Sequence, residues 1–266
     1  MPSSGGELSG AWNFRDVSEE TGIAPGRLYR ASELSKLDDR GREALTGYGV
    51  TDVADLRTAR ELERHGPGLV PAGVEIHHLP FVETMASDGE SPHEHAFQRM
   101  MTDKPDDEPV AEAAARYMSE EYGRIAAAPL AQRAVKTVIT LLGTDRAVLA
   151  HCFAGKDRTG FTVAVVLEAA GVERDAVMSD YLRSNVAVPQ LRESILESVR
   201  ARAAEAPEIM ELAEARLTDA VLGVREQYLD IARRTIDSEF GSLNGYLTAA
   251  GVTDDDVARL RKALNG

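Results

Sequence analysis

Cys152 and Arg158 are the residues of this chain whose types and spacing best suit covalent chemistry. The only cysteine ends the apolar run Val148-Leu149-Ala150-His151, and Phe153-Ala154-Gly155-Lys156-Asp157 separates it from Arg158-Thr159-Gly160. A loop of this length, bending at Gly155, can turn successive backbone N–H groups toward one point at a helix N-terminus, a geometry that binds a phosphate dianion. A thiol at its base meets unpaired N–H groups, the helix dipole, Lys156 and Arg158, all of which favour the thiolate, the nucleophilic form. Arg158 supplies a planar fork that holds two phosphoryl oxygens at once, which a lysine does poorly. The Thr159 hydroxyl is placed to hydrogen-bond the sulfur as it departs.

The elements that must position this loop follow from hydrophobic patterning. Ala147 to Ala150 reads as a short buried strand and Phe161 to Ala170 as an apolar helix, so the loop lies between a strand end and a helix start. Upstream, strands are expected at Gly26–Ala31, Val50–Leu56 and Val74–Phe81, and helices at Leu37–Tyr48, Ala111–Ile125 and Leu130–Leu142. Strand-helix alternation predicts an α/β fold with a central, mostly parallel sheet flanked by helices. After Gly160 the chain reads as helical throughout, near 173–185, 189–203, 207–216, 218–235 and 253–264, with Thr253 and Asp256 forming a capping box for the last.

The stretch His151-Cys152-Phe153-Ala154-Gly155-Lys156-Asp157-Arg158-Thr159-Gly160 resembles the phosphate loop of the cysteine-dependent protein tyrosine phosphatases, and its Gly-Lys-Asp-Arg core narrows the resemblance to their atypical bacterial branch. Trp12-Asn13-Phe14-Arg15-Asp16, Ser32-Glu33-Leu34-Ser35, Asp55-Leu56-Arg57, Asp180-Tyr181-Leu182-Arg183-Ser184-Asn185 and Gly241-Ser242-Leu243 extend it over nearly the whole chain. The resemblance implies a single phosphatase domain over 1–266 with the cysteine-phosphatase fold. It also implies a helical lid, expected over 205–235, and Met210, Leu212, Leu217, Val221 and Leu222 either form its underside or are ordinary core residues; residues 1–10 are expected to be mobile. Substrate would be held by Phe153, Ala154, Gly155, Lys156 and Gly160 of the loop. Arg57, Arg60 and Arg64 would form a basic rim, since arginines matching Arg60 and Arg64 line the entrance in that family. The plainer reading pairs Arg60 and Arg64 with Glu61 and Glu63 in solvent.

The expected reaction is attack of Cys152 on phosphorus, a phosphocysteine intermediate and its hydrolysis by water, with no metal or cofactor. A general acid must protonate the leaving oxygen. Glu83, after the Leu-Pro-Phe strand end, and Asp157, inside the loop, are equal candidates; Asp55 stands behind them and is expected to orient Arg57 or the loop. Asp157 must either turn away to pair with a cation such as Arg57 or stay protonated beside a phosphate. The implied substrates are phosphotyrosine proteins, with phosphoserine, phosphothreonine and phosphoinositides beside them, the last favoured by Lys156. A phospho-ligand binding module without turnover would have lost the cysteine or the arginine. A rhodanese-type sulfurtransferase usually has a shorter loop and lacks the Arg-Thr-Gly helix start.

Composition sets the outer bounds. With 266 residues, 43% of them hydrophobic, the chain can bury a core, and one cysteine excludes an intramolecular disulfide. A net charge of −14 speaks against nucleic-acid or anionic-membrane binding and makes any basic island informative. The N-terminus lacks the pattern of a signal peptide, and no run approaches the ~20 apolar residues of a membrane span. The expectation is a cytoplasmic monomer, or one secreted without a signal peptide. His77 and His78 face opposite sides of a strand and His93 and His95 lie in a polar stretch, so no metal site is expected.

Overall fold

The computed structural model describes residues 8–81, 108–202 and 207–266. In chain order the elements are β1 (Arg15–Asp16), α1 (Ser18–Thr21), β2 (Leu28–Ala31), α2 (Asp39–Gly47), β3 (Asp52–Asp55), α3 (Ala59–His65), β4 (Glu75–His78), α4 (Val110–Ala127), α5 (Pro129–Leu142) and β5 (Val148–His151). Helices follow: α6 (Asp157–Ala170), α7 (Arg174–Arg183), a 3-10 turn (Ser184–Ala187), α8 (Val188–Arg202), α9 (Pro207–Arg216), α10 (Asp219–Leu222), α11 (Glu226–Phe240), α12 (Leu243–Ala249) and α13 (Asp254–Asn265).

The sheet order is β1-β2-β5-β3-β4, with β1 antiparallel to β2 and every other pair parallel. The expected α/β fold with a mostly parallel sheet is therefore the observed one. β2, β3 and β5 are buried at every position, as strands covered on both faces must be, while the edge strand β4 is largely exposed. Leu28, Ala54, Val148 and Ala150 point into the larger core, under α4, α5, α6 and α11. Tyr29, Ala31, Val53 and Leu149 point into a smaller one with Leu34, Leu37 and Leu45. Leu8 also joins that second core at 2% exposure; of residues 1–10, expected to be mobile, 1–7 lie outside the described residues.

The register is what matters for chemistry. Ala31, His151 and Asp55 lie side by side at the carboxyl ends of β2, β5 and β3. The segments leaving these ends, Ser32-Glu33, Cys152 onward and Leu56-Arg57, therefore meet above the sheet edge, where parallel α/β sheets place their sites.

Two expected helices differ in a useful way. The apolar pattern starts at Phe161, but α6 begins at Asp157, so Asp157, Arg158 and Thr159 form its first turn. The helix expected over 218–235 is broken into α10 and α11 at Gly223–Arg225. At the break, Val224 donates to Asn185 Oδ1 at 2.7 Å and Asn185 Nδ2 donates to the Val224 carbonyl at 3.0 Å, so a side chain takes the place of helical partners. Thr253 and Asp256 form the expected capping box. Among the described residues no single helix is long and apolar enough to cross a membrane.

Candidate active site

The loop from Cys152 to Lys156 is entirely buried, and Cys152 itself is 2% exposed. Gly155 has φ +66, and a Cβ there would come within 2.1 Å of the Ala31 carbonyl oxygen; this position requires glycine for both conformation and space. A Cβ on Gly160 would meet the Tyr181 ring at 2.9 Å, which lets α6 pack closely against α7.

The loop's backbone donors are the first part of the site. From Ala154 to Thr159 no backbone N–H has a hydrogen-bond partner among the described residues; the first to be satisfied is Gly160, which donates to the Lys156 carbonyl at 2.9 Å. Buried N–H groups are rarely orphaned, and a run of them at a helix N-terminus beside a thiol is a site for an anion.

Arg158 supplies the second part. Its Nη1 and Nη2 donate to the two carboxylate oxygens of Glu61 at 2.6 and 2.7 Å, and Nη1 also donates to the Leu56 carbonyl at 3.2 Å. Among the described residues Nε is buried without a partner. Glu61 therefore occupies one edge of the guanidinium and leaves the other, Nε with the second Nη2 hydrogen, as a fork for two oxygens of a tetrahedral anion. Burial opposes the charge on Arg158, but the Glu61 carboxylate outweighs it and holds the guanidinium's pKa above its ordinary value. Thr159 Oγ1 is likewise buried without a partner among the described residues.

Lys156 is arranged differently from the expectation, whereas Asp157 takes one of the two courses expected of it and pairs with a cation. The Lys156 ammonium donates to the carbonyls of Val221 (2.8 Å) and Gly223 (3.2 Å) and to Asp157 (3.2 Å), so its three hydrogens are all used and none is left for a substrate phosphate. Asp157 pairs with this neighbouring lysine rather than with Arg57, and accepts from Tyr122 at 3.0 Å. Tyr181 in turn donates to the Tyr122 hydroxyl oxygen at 2.7 Å. Burial pushes both tyrosines well above their ordinary pKa.

Arg57 does not stand at an entrance. It is fully buried, bonded to Asp55 at 2.7–3.2 Å, to Glu33 at 3.2 Å and to the Gly66 carbonyl at 3.1 Å, and so straps the end of β3 to the end of α3. Asp55 orients Arg57, as expected. Arg60 is exposed and Arg64 half-buried on α3, and Glu61 between them is buried and turns inward to Arg158. The C-terminal end of α3 borders the loop: the His65 ring meets Phe153 with centroids 5.0 Å apart and His65 Nδ1 lies 3.0 Å from Glu33. Glu83, His93, His95 and the side chain of Leu212 lie outside the described residues.

A cover completes the arrangement. Phe153 and Ala154 pack against Leu191 of α8, Leu222 of α10 and Leu217 between α9 and α10, with Trp12, Val188, Ile195 and Leu196 around them. Of the residues given either reading, Leu217 and Leu222 lie on this underside; Val221 faces the main core, and Met210 is partly buried. α11, also within the expected range 205–235, packs on α4 through Tyr228, Leu229, Ala232 and Ile236. Among the described residues the cover is therefore formed by α8 and by residues 217–222. Away from the loop, Asp52, Glu75 and His77 lie close enough to hold an ion, but Asp52 already binds Arg146 at 2.6 and 3.1 Å and His77 at 2.8 Å.

Sequence reading missed Glu61, Tyr122 and Glu33, none of which sits in the loop. The one available signal was Thr58 three residues before Glu61, a capping-box spacing that the structure bears out with Glu61 accepting from the Thr58 N–H at 2.7 Å.

Comparison with known proteins agrees with the site. The sequence pattern of the "Tyrosine phosphatase family" matches residues 6–266. A triple specificity protein phosphatase of Mycobacterium tuberculosis is 51% identical, over 98% of this chain and 99% of the relative. A tyrosine-protein phosphatase of Nostoc commune is 27% identical, over 92% of this chain and 76% of the relative. A cysteine at the base of an unsatisfied N–H loop, an arginine with one edge open and this likeness along the full chain lead to one conclusion: the protein belongs to the tyrosine phosphatase family and is a protein phosphatase.

Proposed function

We propose that the protein hydrolyses phosphotyrosine, and with it phosphoserine, phosphothreonine and phosphoinositide monoesters, through a phosphocysteine on Cys152. The observation that carries this reading is the pairing of two donor sets unfilled among the described residues, the loop N–H groups and the Nε/Nη2 edge of Arg158, at the carboxyl end of β5 where Cys152 stands. Both are aimed at equatorial oxygens whose charge must be held while phosphorus passes from the leaving oxygen to sulfur. The Cys152 thiolate forms the S–P bond as the P–O bond breaks; water then attacks phosphorus, the sulfur leaves and inorganic phosphate is released. The Thr159 hydroxyl, without a partner among the described residues, is placed to donate to the departing sulfur.

Asp157 and Glu83 are the two carboxyls proposed as general acid. Asp157 is held beside the loop by Tyr122 and Lys156. Breadth of specificity is proposed because the 51% identical relative is named a triple specificity phosphatase. α8 and residues 217–222 are proposed as a lid, since Cys152 at 2% and Arg158 at 3% exposure can meet a protein-borne phosphate only when Leu217 and Leu222 move off Phe153 and Ala154.

The test compares initial rates of wild type and Cys152→Ser on a phosphotyrosine peptide, a phosphothreonine peptide and a phosphoinositide, with a chelator present. The expected result is turnover of all three by wild type, fastest on phosphotyrosine, and none by the serine variant. Wild-type turnover that survives the substitution overturns the phosphocysteine route, and a substrate left untouched is struck from the range.

A further inference from the structure

The loop N–H groups can face an anion only if the loop carbonyls face the other way, because a trans peptide sets its C=O and N–H on opposite sides, and every peptide here is trans. In a buried loop those outward carbonyls need donors. The Phe153 carbonyl accepts from the Glu33 N–H at 2.9 Å. The carbonyls of Ala154 and Gly155 both accept from one side-chain amide, Asn13 Nδ2, at 3.1 and 3.0 Å, and that of Gly155 also from Arg30 Nη2 at 2.8 Å. The peptides so held are those whose N–H groups belong to Ala154, Gly155 and Lys156.

Asn13 is itself held. Its Oδ1 accepts from Arg15 Nη1 at 2.7 Å, which fixes the amide: flipped, it would set an oxygen against two carbonyls and an NH₂ against a guanidinium. Its backbone sits at φ +56, a conformation that asparagine tolerates better than most residues and that aims the side chain at the loop. Arg15 and Arg30, opposite each other in the β1–β2 register, share the Asp180 carboxylate at 2.7 and 2.6 Å, and both donate to Ser184 Oγ. Arg15, Arg30 and Asp180 are each at least 97% buried. Two guanidiniums against one carboxylate leave one positive charge behind the loop, on the side from which its dipoles point inward.

We propose that Asn13 is a positioning residue of the phosphatase reaction: its amide, braced by Arg15, Asp180 and Arg30, holds the Ala154 and Gly155 carbonyls outward and so presents the Gly155 and Lys156 N–H groups to the phosphoryl oxygens. This rests on the reading of the loop as the phosphate site. It accounts for the Trp12–Asp16 and Asp180–Ser184 stretches, which lie far from the loop in sequence and contribute nothing to the chemistry directly.

Two variants test it. Asn13→Gly removes the amide while keeping a residue at ease at φ +56; Asn13→Asp keeps the bond to Arg15 but has no hydrogen for the carbonyls. The readout is binding of vanadate, a transition-state-like anion, to folded protein, beside kcat and KM on an aryl phosphate and thermal unfolding. For Asn13→Gly, vanadate affinity and kcat/KM are each expected to fall about 10- to 100-fold, mostly in kcat, and Asn13→Asp to fall further. A role confined to stability would lower the unfolding temperature and leave vanadate affinity of the folded protein unchanged. If both variants bind vanadate within about twofold of wild type, the proposal is overturned. Failure of wild type to bind vanadate would instead overturn the phosphate-site reading beneath it.

Discussion

Removing the carboxylate of Glu61 while preserving its shape is the most searching perturbation of the site. Glu61 and Arg158 are each 3% exposed and joined by two bonds at 2.6 and 2.7 Å. In Glu61→Gln the amide offers one oxygen to one guanidinium hydrogen and sets an NH₂ against the other, leaving a buried cation without its counter-charge. Breaking such a pair from one side costs about 3–5 kcal/mol. At about 2–4 °C per kcal/mol for a chain of this size, the melting temperature should fall by roughly 6–20 °C. Because the pair is out of solvent, the loss should be nearly the same at low and high salt. Catalysis should suffer separately: an Arg158 no longer gripped on one edge loses the orientation of the other, and removal of an oriented transition-state donor costs about 100-fold or more in kcat. The assay is thermal unfolding by circular dichroism beside kcat/KM on an aryl phosphate well below the melting temperature. A stable variant with kcat/KM within about twofold of wild type would refute the argument, and a destabilised one with normal kcat/KM would reduce Glu61 to a packing role.

Three more outcomes follow from the geometry. Lys156→Met removes the bonds to the Val221 and Gly223 carbonyls, so protease cleavage within 207–223 should quicken several-fold; unchanged cleavage would mean the lysine does not hold the cover. Tyr122→Phe takes one donor from Asp157 and strands the Tyr181 hydroxyl, a loss of about 1–3 kcal/mol in stability; if Asp157 is the acid, substrates with poor leaving groups should slow more than an activated aryl phosphate, and equal slowing would point to Glu83. Burial disfavours the charged form of Asp55, but His151 and the bonded Arg57 outweigh it and lower its pKa to about 2. Against an unfolded value of about 3.9, the ionised group contributes stability that is complete above pH ~4 and is lost as pH falls toward ~2, some 2–3 kcal/mol. Denaturant unfolding should therefore show a shallower acid slope over that window for Asp55→Asn than for wild type, and parallel slopes would refute the assignment.

Much was legible in the chain itself, for identifiable reasons. The nucleophile, the arginine and the glycine bend lie within one loop, and a contiguous loop between a strand and a helix carries its geometry in its spacing. Short apolar runs and helical periodicity gave the α/β sheet and the helical second half, because β2, β3 and β5 are buried on both faces and α13 has an explicit capping box. Helix ends were less legible: α6 starts at Asp157 because the loop turns into it there, which no apolar pattern records.

Partner choice among charges was decided only by tertiary structure. Arg57 looked like a rim residue and is a buried strap, Glu61 looked like a surface partner of Arg60 or Arg64 and holds Arg158, and Lys156 spends its hydrogens on the turn after α10. A side chain's type says which bonds it can make; burial and distance, set by elements as remote as Asn13, Tyr122 and Val221, say which it does. The sequence by itself determined what chemistry stands at the end of β5, because that chemistry is local. Which way the loop's dipoles point and what covers them depended on packing between segments more than a hundred residues apart, as in the bond from Asn13 to Gly155.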